Sequence, residues 1–320
     1  MRQAGGRAEA SLVAFGQGTE AALPPSAMRP HFFTLLAMAV FMAAACADGP
    51  PVEVPFASLS DRALAPLGQQ ALQVRAQEWK HTESAHFIYH YFQSFVVAPV
   101  MVEAEFYYGS ITKELGKDTA QWEKKCHIFV FEEQGDWKQF QARGQLDPWT
   151  GGLHAQGELF VLRNPHVRWK GHSLGHEVTH LVIYRFYGNG VPRWLNEGFA
   201  EYAGVRGYAS FNRARGFNAR PVSRAVDPAR FIPVATLAAM LDYPSDPEQV
   251  LTYYFESERL VRFLSAADKR GFGIFLEAMA QGNRIETALV RGWGGRFPGL
   301  DALEREFKTY ATKDHGNTLD

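Results

Sequence analysis

Two histidines four residues apart, with a glutamate between them, are the most chemically informative feature of this chain: His176-Glu177-Val178-Thr179-His180. On a helix, positions four apart lie on one face about a turn along, so both imidazoles can reach one metal ion. Glu177 sits a step further round the helix, where it can face a water held by that ion. Sixteen residues separate His180 from Glu197, and Glu201 lies one helical turn beyond Glu197. A catalytic zinc takes three protein ligands and keeps one position open for water. His176, His180 and Glu197 supply that number, one zinc per chain. Glu201 is spaced to accept a hydrogen bond from the second nitrogen of a ligating histidine.

These side chains need two rigid helices. Residues 172–187 carry Leu174, Val178, Leu181 and Val182 off the histidine face, so the remaining faces can be buried. Gly188, Gly190 and Pro192 break that helix, and a second is expected over 194–204. Upstream, Ser84–Phe92, Lys125–Phe131 and Glu158–Arg163 read as strands, and Met101–Leu115 and Gly135–Arg143 as helices. A Gly/Pro loop with Gly144, Pro148, Gly151 and Gly152 precedes the third strand. Downstream, helices are expected over 250–265, 270–281, 284–291 and 299–312. Residues 206–232 are rich in Arg, Gly and Pro and read as a long surface excursion. Strands first and helices after point to an α+β layout. Its catalytic domain is expected over 79–313, with a small mixed β-sheet lobe over 79–171 and a mainly helical lobe over 172–313.

Composition narrows the function classes. Lys+Arg number 33 and Asp+Glu 34, a formal net charge of -1, which excludes a strongly basic nucleic-acid reader. Two cysteines, Cys46 and Cys126, exclude a disulfide scaffold and a multi-cysteine zinc module. Cys126 lies in a strand pattern and reads as a buried, inert thiol. His86 and His90 share a strand face but stand about 13 Å apart, too far for one metal. His154 is placed to border the cleft, and His172 to be exposed.

Residues His31–Ala47 form one apolar run after Met28-Arg29, short for a membrane span and shaped like an export signal. Two cleavage readings compete: Ala45-Cys46-Ala47 as an A-x-A site, and Ala43-Ala44-Ala45-Cys46 as a degraded lipobox that would lipidate Cys46. An uncleaved anchor helix is the third. Residues 1–27 read as an over-called extension before a start at Met28, 28–47 as the signal, and 48–78 as a tether. The localisation expected is the bacterial periplasm or envelope.

HEVTH followed by WLNEGFAEY resembles the gluzincin metallopeptidases, the clan of thermolysin and aminopeptidase N, and more closely the bacterial peptidase-MA-like proteins. A looser likeness runs from Thr82 to Lys313 through SAHFIYHY, ELFVLR and YYFESERLVRFL. The resemblance implies a zincin-like fold and hydrolysis of peptide bonds, with zinc on His176, His180 and Glu197, Glu177 as general base and Glu201 behind the ligands. It implies an oxyanion-stabilising tyrosine at Tyr254, with Tyr253 the adjacent alternative. It also implies that the strand holding Glu158, Leu159, Phe160 and Val161 is the sheet edge that pairs with an extended peptide. The Gly-x-Met-Glu-Asn segment with which aminopeptidases of the clan grip a free amine is missing; Gly157-Glu158-Leu159-Phe160-Val161 stands there, which favours an endopeptidase. The rival reading is a zinc-bound envelope scaffold without turnover. An amidase or esterase using the same ion is a third. Retention of Glu177 speaks against the scaffold, because a structural site needs ligands and no base.

Overall fold

Three runs rich in β-branched and aromatic residues form the heart of the sheet: β2 (Phe87–Tyr91), β3 (Cys126–Phe131) and β5 (Glu158–Leu162), each buried along its whole length. Strands covered on both faces read as continuous apolar runs, and these three pair in parallel. Two short strands, β1 (Lys80–Glu83) and β4 (Gly152–Ala155), close the sheet antiparallel at its edges, in the order β1-β2-β3-β5-β4. The computed structural model describes residues 51–118, 124–147, 150–164, 171–218 and 225–313. The extension 1–27, the apolar run and Cys46 lie outside the described residues.

The order of strands corrects one expectation. Glu158, Leu159, Phe160 and Val161 belong to an interior strand, paired with β3 on one side and β4 on the other. The edge is β4, which the sequence presented as part of a Gly/Pro loop. Leu159, Phe160 and Val161 are buried, whereas β4 is half-buried throughout and carries a glycine. β1 was equally hidden, since Lys-His-Thr-Glu shows no apolar alternation. Ser84–His86, read as the start of a strand, forms the turn into β2, with the Ser84 N–H donating to the Phe87 carbonyl at 2.9 Å.

One face of the sheet packs on α2 (Ser94–Glu114) and α4 (Ser173–Tyr187), through Tyr89, Ile128 and Val161 among others. The opposite face carries Phe129, Phe131 and Phe160 against Trp137 and Phe140 of α3 (Gln134–Gly144) and Ala71 of α1 (Pro66–Leu72). Phe129 stacks on Phe160 and Phe131 on Phe140, each with ring centroids 4.9 Å apart. Helix α1 lies within the stretch 48–78 read as a tether. Its fully buried Ala71 makes it part of the cover of the sheet.

The helical part comprises α5 (Arg193–Ala214), α6 (Val234–Ala239), α7 (Pro247–Ala267), α8 (Lys269–Ala280), α9 (Ile285–Trp293) and α10 (Leu300–Ala311). Helix α5 runs ten residues beyond the 204 expected for it, into the stretch read as a surface excursion. Gly204 and Gly207 are packing positions inside it rather than breakers: a Cβ at Gly207 would stand 3.0 Å from the Tyr107 ring. No helix among the described residues is long and apolar enough to cross a membrane. The chain has the α+β architecture expected, a small mixed sheet with a mostly helical remainder.

Candidate metal centre

Leu174, Val178, Leu181 and Val182 are fully buried and hold α4 against the sheet, leaving His176 and His180 on its other side. Gly188, at φ 65°, ends the helix, and α5 returns across it. The approach is close: a Cβ at Gly204 would lie 3.0 Å from the His176 backbone nitrogen, so glycine there lets the two helices touch. That contact brings Glu197 to the histidines. The Nε2 atoms of His176 and His180 are 3.0 Å apart, and each is 3.4 Å from Glu197 Oε2. Among the described residues, these three form the one group of His, Cys, Asp or Glu whose ligand atoms gather closely enough for a metal ion.

Hydrogen bonding around the group sets its ring orientations. His180 Nδ1 lies 3.0 Å from Asn196 Oδ1, an oxygen that can only accept, so Nδ1 carries the proton and Nε2 presents its lone pair. His176 Nδ1 lies 3.3 Å from Glu201 Oε1, and His172 Nε2 lies 3.0 Å from Glu201 Oε2. Glu201 thus orients one ligand and is itself held by His172, whose side chain remains partly exposed. Glu197 Oε2 is buried and has no hydrogen bond of normal geometry. An anionic oxygen and two imidazole nitrogens packed this closely need protons or a cation among them. The donor set of two imidazoles and one carboxylate suits zinc.

Charge within the cluster is correspondingly skewed. Burial alone would raise the Glu197 carboxyl, but the charge of His180 and its contacts with both histidines hold it well below the usual range. Burial alone would depress His176, yet Glu197 and Glu201 hold it well above an ordinary imidazole. Glu177 is buried and its pKa is raised by that burial, against the opposing charges of His176 and His180. It accepts a hydrogen bond from the His154 backbone. Strand β4 lies directly over it, since a Cβ at Gly152 would be 2.9 Å from Glu177 Oε1. His154 borders the centre, its ring 6.5 Å from that of His180, and burial pushes its pKa down to about 3.

Of the two adjacent tyrosines, Tyr254 is half-buried; burial raises its pKa, and the charges of Glu197, Glu177 and Glu201 raise it further. Tyr253 is fully buried in the core. Sequence reasoning missed two residues. One is Asn196, whose partner His180 lies on another helix. The other is Tyr243, whose hydroxyl donates to Glu197 Oε1 at 2.6 Å and whose ring stacks on Tyr254, with centroids 5.6 Å apart. Tyr243 stands in a loop far from the motif, where no spacing signals it.

Glu158 is not part of the centre. Its side chain is buried on the far face of the sheet, where Oε1 accepts from the Ala65 N–H at 2.7 Å and caps the start of α1; burial pushes its pKa up to about 7. Cys126 is buried, its thiol pKa pushed up by burial and its Sγ 3.0 Å from the Gly157 carbonyl oxygen. His86 pairs with Glu105 at 2.6 Å, away from His90.

No curated protein matches the chain at a significant level. The family model of the peptidase MA superfamily matches residues 110–311, from within α2 to the end of α10, and so spans every residue of the centre. That match covers more than half of the sequence, and the chain therefore belongs to the peptidase MA superfamily.

Proposed function

We propose that this protein is a zinc-dependent endopeptidase of the gluzincin type, working in the bacterial envelope. The observation that carries the reading is the convergence of His176, His180 and Glu197 beside a buried Glu177 that none of the ligand positions requires. His176, His180 and Glu197 would hold the zinc. Bound there, zinc supplies Lewis-acid polarisation of the scissile carbonyl and lowers the pKa of water to about 7. Glu177 takes the proton of the attacking water and passes it to the leaving amine. Tyr254 donates its phenolic hydrogen to the oxygen that becomes negative in the transition state.

The free edge of β4 next to Glu177 offers backbone donors and acceptors to an extended chain, and sheet-edge pairing of this kind binds peptides largely independently of side chains. Selecting a cationic α-amine needs a fixed anionic partner. Glu158, the carboxylate nearest the place where aminopeptidases of the clan carry theirs, is turned to the other side of the sheet and engaged by Ala65. This supports cleavage within chains. The basic residue and apolar run of Met28–Ala47 support export, with Cys46 as a site of lipid attachment.

The test is digestion of a peptide library by the purified mature protein, with and without chelator, beside Glu177→Gln. Internal cleavage that chelator abolishes is expected, with acetylated and free peptides cut alike. Glu177→Gln should retain zinc and lose at least ~10²-fold in rate. Zinc binding without cleavage of any peptide would favour the scaffold reading. Release of single residues from free peptides alone would make the enzyme an aminopeptidase.

A further inference from the structure

Resting on the reading of the centre as a zinc site, we propose that Tyr243 is a positioning residue: its hydroxyl reserves one oxygen of Glu197, its ring seats Tyr254, and Arg193 holds it in place. The two oxygens of Glu197 face different partners. Oε2 points to His176 and His180, while Oε1 accepts the Tyr243 hydroxyl at 2.6 Å. An O–H donor on a carboxylate at this distance makes a charge-assisted bond, about twice as strong as a neutral one. With Oε1 engaged, Oε2 is the carboxylate oxygen left to hold a metal beside the two histidines.

The loop that carries Tyr243 has no helix or strand to hold it, and α5 supplies the hold. Arg193 stands one turn before Glu197 on that helix. Its Nε donates to the Leu241 carbonyl at 3.0 Å, and its guanidinium lies 4.8 Å from the Tyr243 ring centroid. One face of α5 therefore carries both the ligand and the clamp on the loop that orients it. Tyr254 stacks on the same ring at 23°, and Tyr253 meets it edge-on at 5.8 Å. Tyr243 thus links a metal ligand on α5 to the candidate oxyanion donor on α7. A residue that merely filled space would need the ring and not the hydroxyl.

Tyr243→Phe separates the two, because it keeps the ring stacked on Tyr254 and removes the hydroxyl, with its bond to Glu197 and its contacts with Tyr254 and Arg193. Zinc affinity, read by competition with a chromophoric chelator, should fall about 10–100-fold, the usual effect of losing a partner of a ligand. The kcat of the zinc-saturated Phe variant should fall less than that of Tyr243→Ala, which also frees Tyr254. Arg193→Gln should weaken zinc in the same direction, and its effect should vanish in the Tyr243→Phe background, as expected of residues acting through one another. Wild-type zinc affinity in Tyr243→Phe overturns the proposal, as does full additivity of the two substitutions. If the Phe variant does not fold, unchanged affinity in Arg193→Gln overturns it. Failure of the wild-type protein to take up zinc would instead sink the metallopeptidase reading itself, which keeps the two outcomes apart.

Discussion

His180 shows how little of a candidate metal ligand is decided by its own residue type. Its Nε2 is available because Asn196, on the next helix, accepts the proton on Nδ1 at 3.0 Å. Tyr254 is decided in the same way by its surroundings: one position earlier in α7 the same side chain is sealed in the core, with its hydroxyl unpartnered. The pair yields a prediction at this scale. Tyr254→Phe should lower kcat by about 10²–10³, the usual cost of one oxyanion donor, and leave zinc affinity nearly unchanged. Tyr253→Phe should leave kcat close to wild type. Steady-state kinetics on one internally cleaved peptide checks both, and the opposite pattern would exchange their roles.

Between elements, close approach does the positioning. Gly198, next to Glu197, lies against the backbone carbonyl of Ser257, and a Cβ there would overlap it. Helix α7 reaches the centre through that gap. Gly198→Ala should destabilise the fold by about 1–3 kcal/mol, as overpacking does, and should lower kcat by displacing Tyr254 while zinc still binds. Thermal unfolding and a zinc titration read the two effects separately. On the far face of the sheet, three strands contribute a buried chain of imidazoles: His81 Nδ1 meets His90 Nδ1 at 2.8 Å, and His90 Nε2 meets His127 Nδ1 at 2.9 Å. Burial depresses all three, His127 to about 4 despite the nearby charges of Asp61 and Glu83. A depressed histidine is neutral when folded, whereas the unfolded chain takes up a proton below about 6.5. Its contribution to stability is whole above that pH and is lost as pH falls toward the folded value. Between pH 7 and pH 5 the wild-type protein should therefore lose about 2 kcal/mol more than His127→Gln. Urea midpoints at the two pH values measure the difference, and parallel losses would refute it.

For the molecule as a whole, the centre joins the parts that fold around it. Helix α4 brings the sheet's packing partner and two candidate ligands, α5 the third, and α7 Tyr253 and Tyr254. A ligand that binds only the folded state stabilises it by mass action, about 4.1 kcal/mol at a thousandfold excess over Kd. Zinc should therefore raise the unfolding temperature of the metal-free protein in a concentration-dependent way. His180→Ala should show no such rise, and calorimetric scans across a zinc series decide it.

The candidate metal ligands were legible in the sequence because a helix has a fixed period. Four residues make one turn, so His176 and His180 share a face whatever else the chain does, and the break at Gly188–Pro192 makes a second helix with Glu197 its natural continuation. The central strands were legible for a similar local reason: strands buried on both faces are dominated by apolar and aromatic residues, and Phe87–Tyr91 and Cys126–Phe131 are, with His90 and His127 the polar exceptions. What tertiary structure alone decided are relations between segments that no period connects. The edge position passed to Gly152–Ala155 because strand order depends on pairing across the sheet, and Glu158 was lost to the site because alternation along β5 turns it to the face covered by α1. Gly204 and Gly207 are contact points between helices, a role that only the packing shows. Tyr243 and Asn196 reach the centre through one hydrogen bond each, from a loop and from a neighbouring helix. Such bonds follow from distances in space, and spacing along the chain carries no record of them.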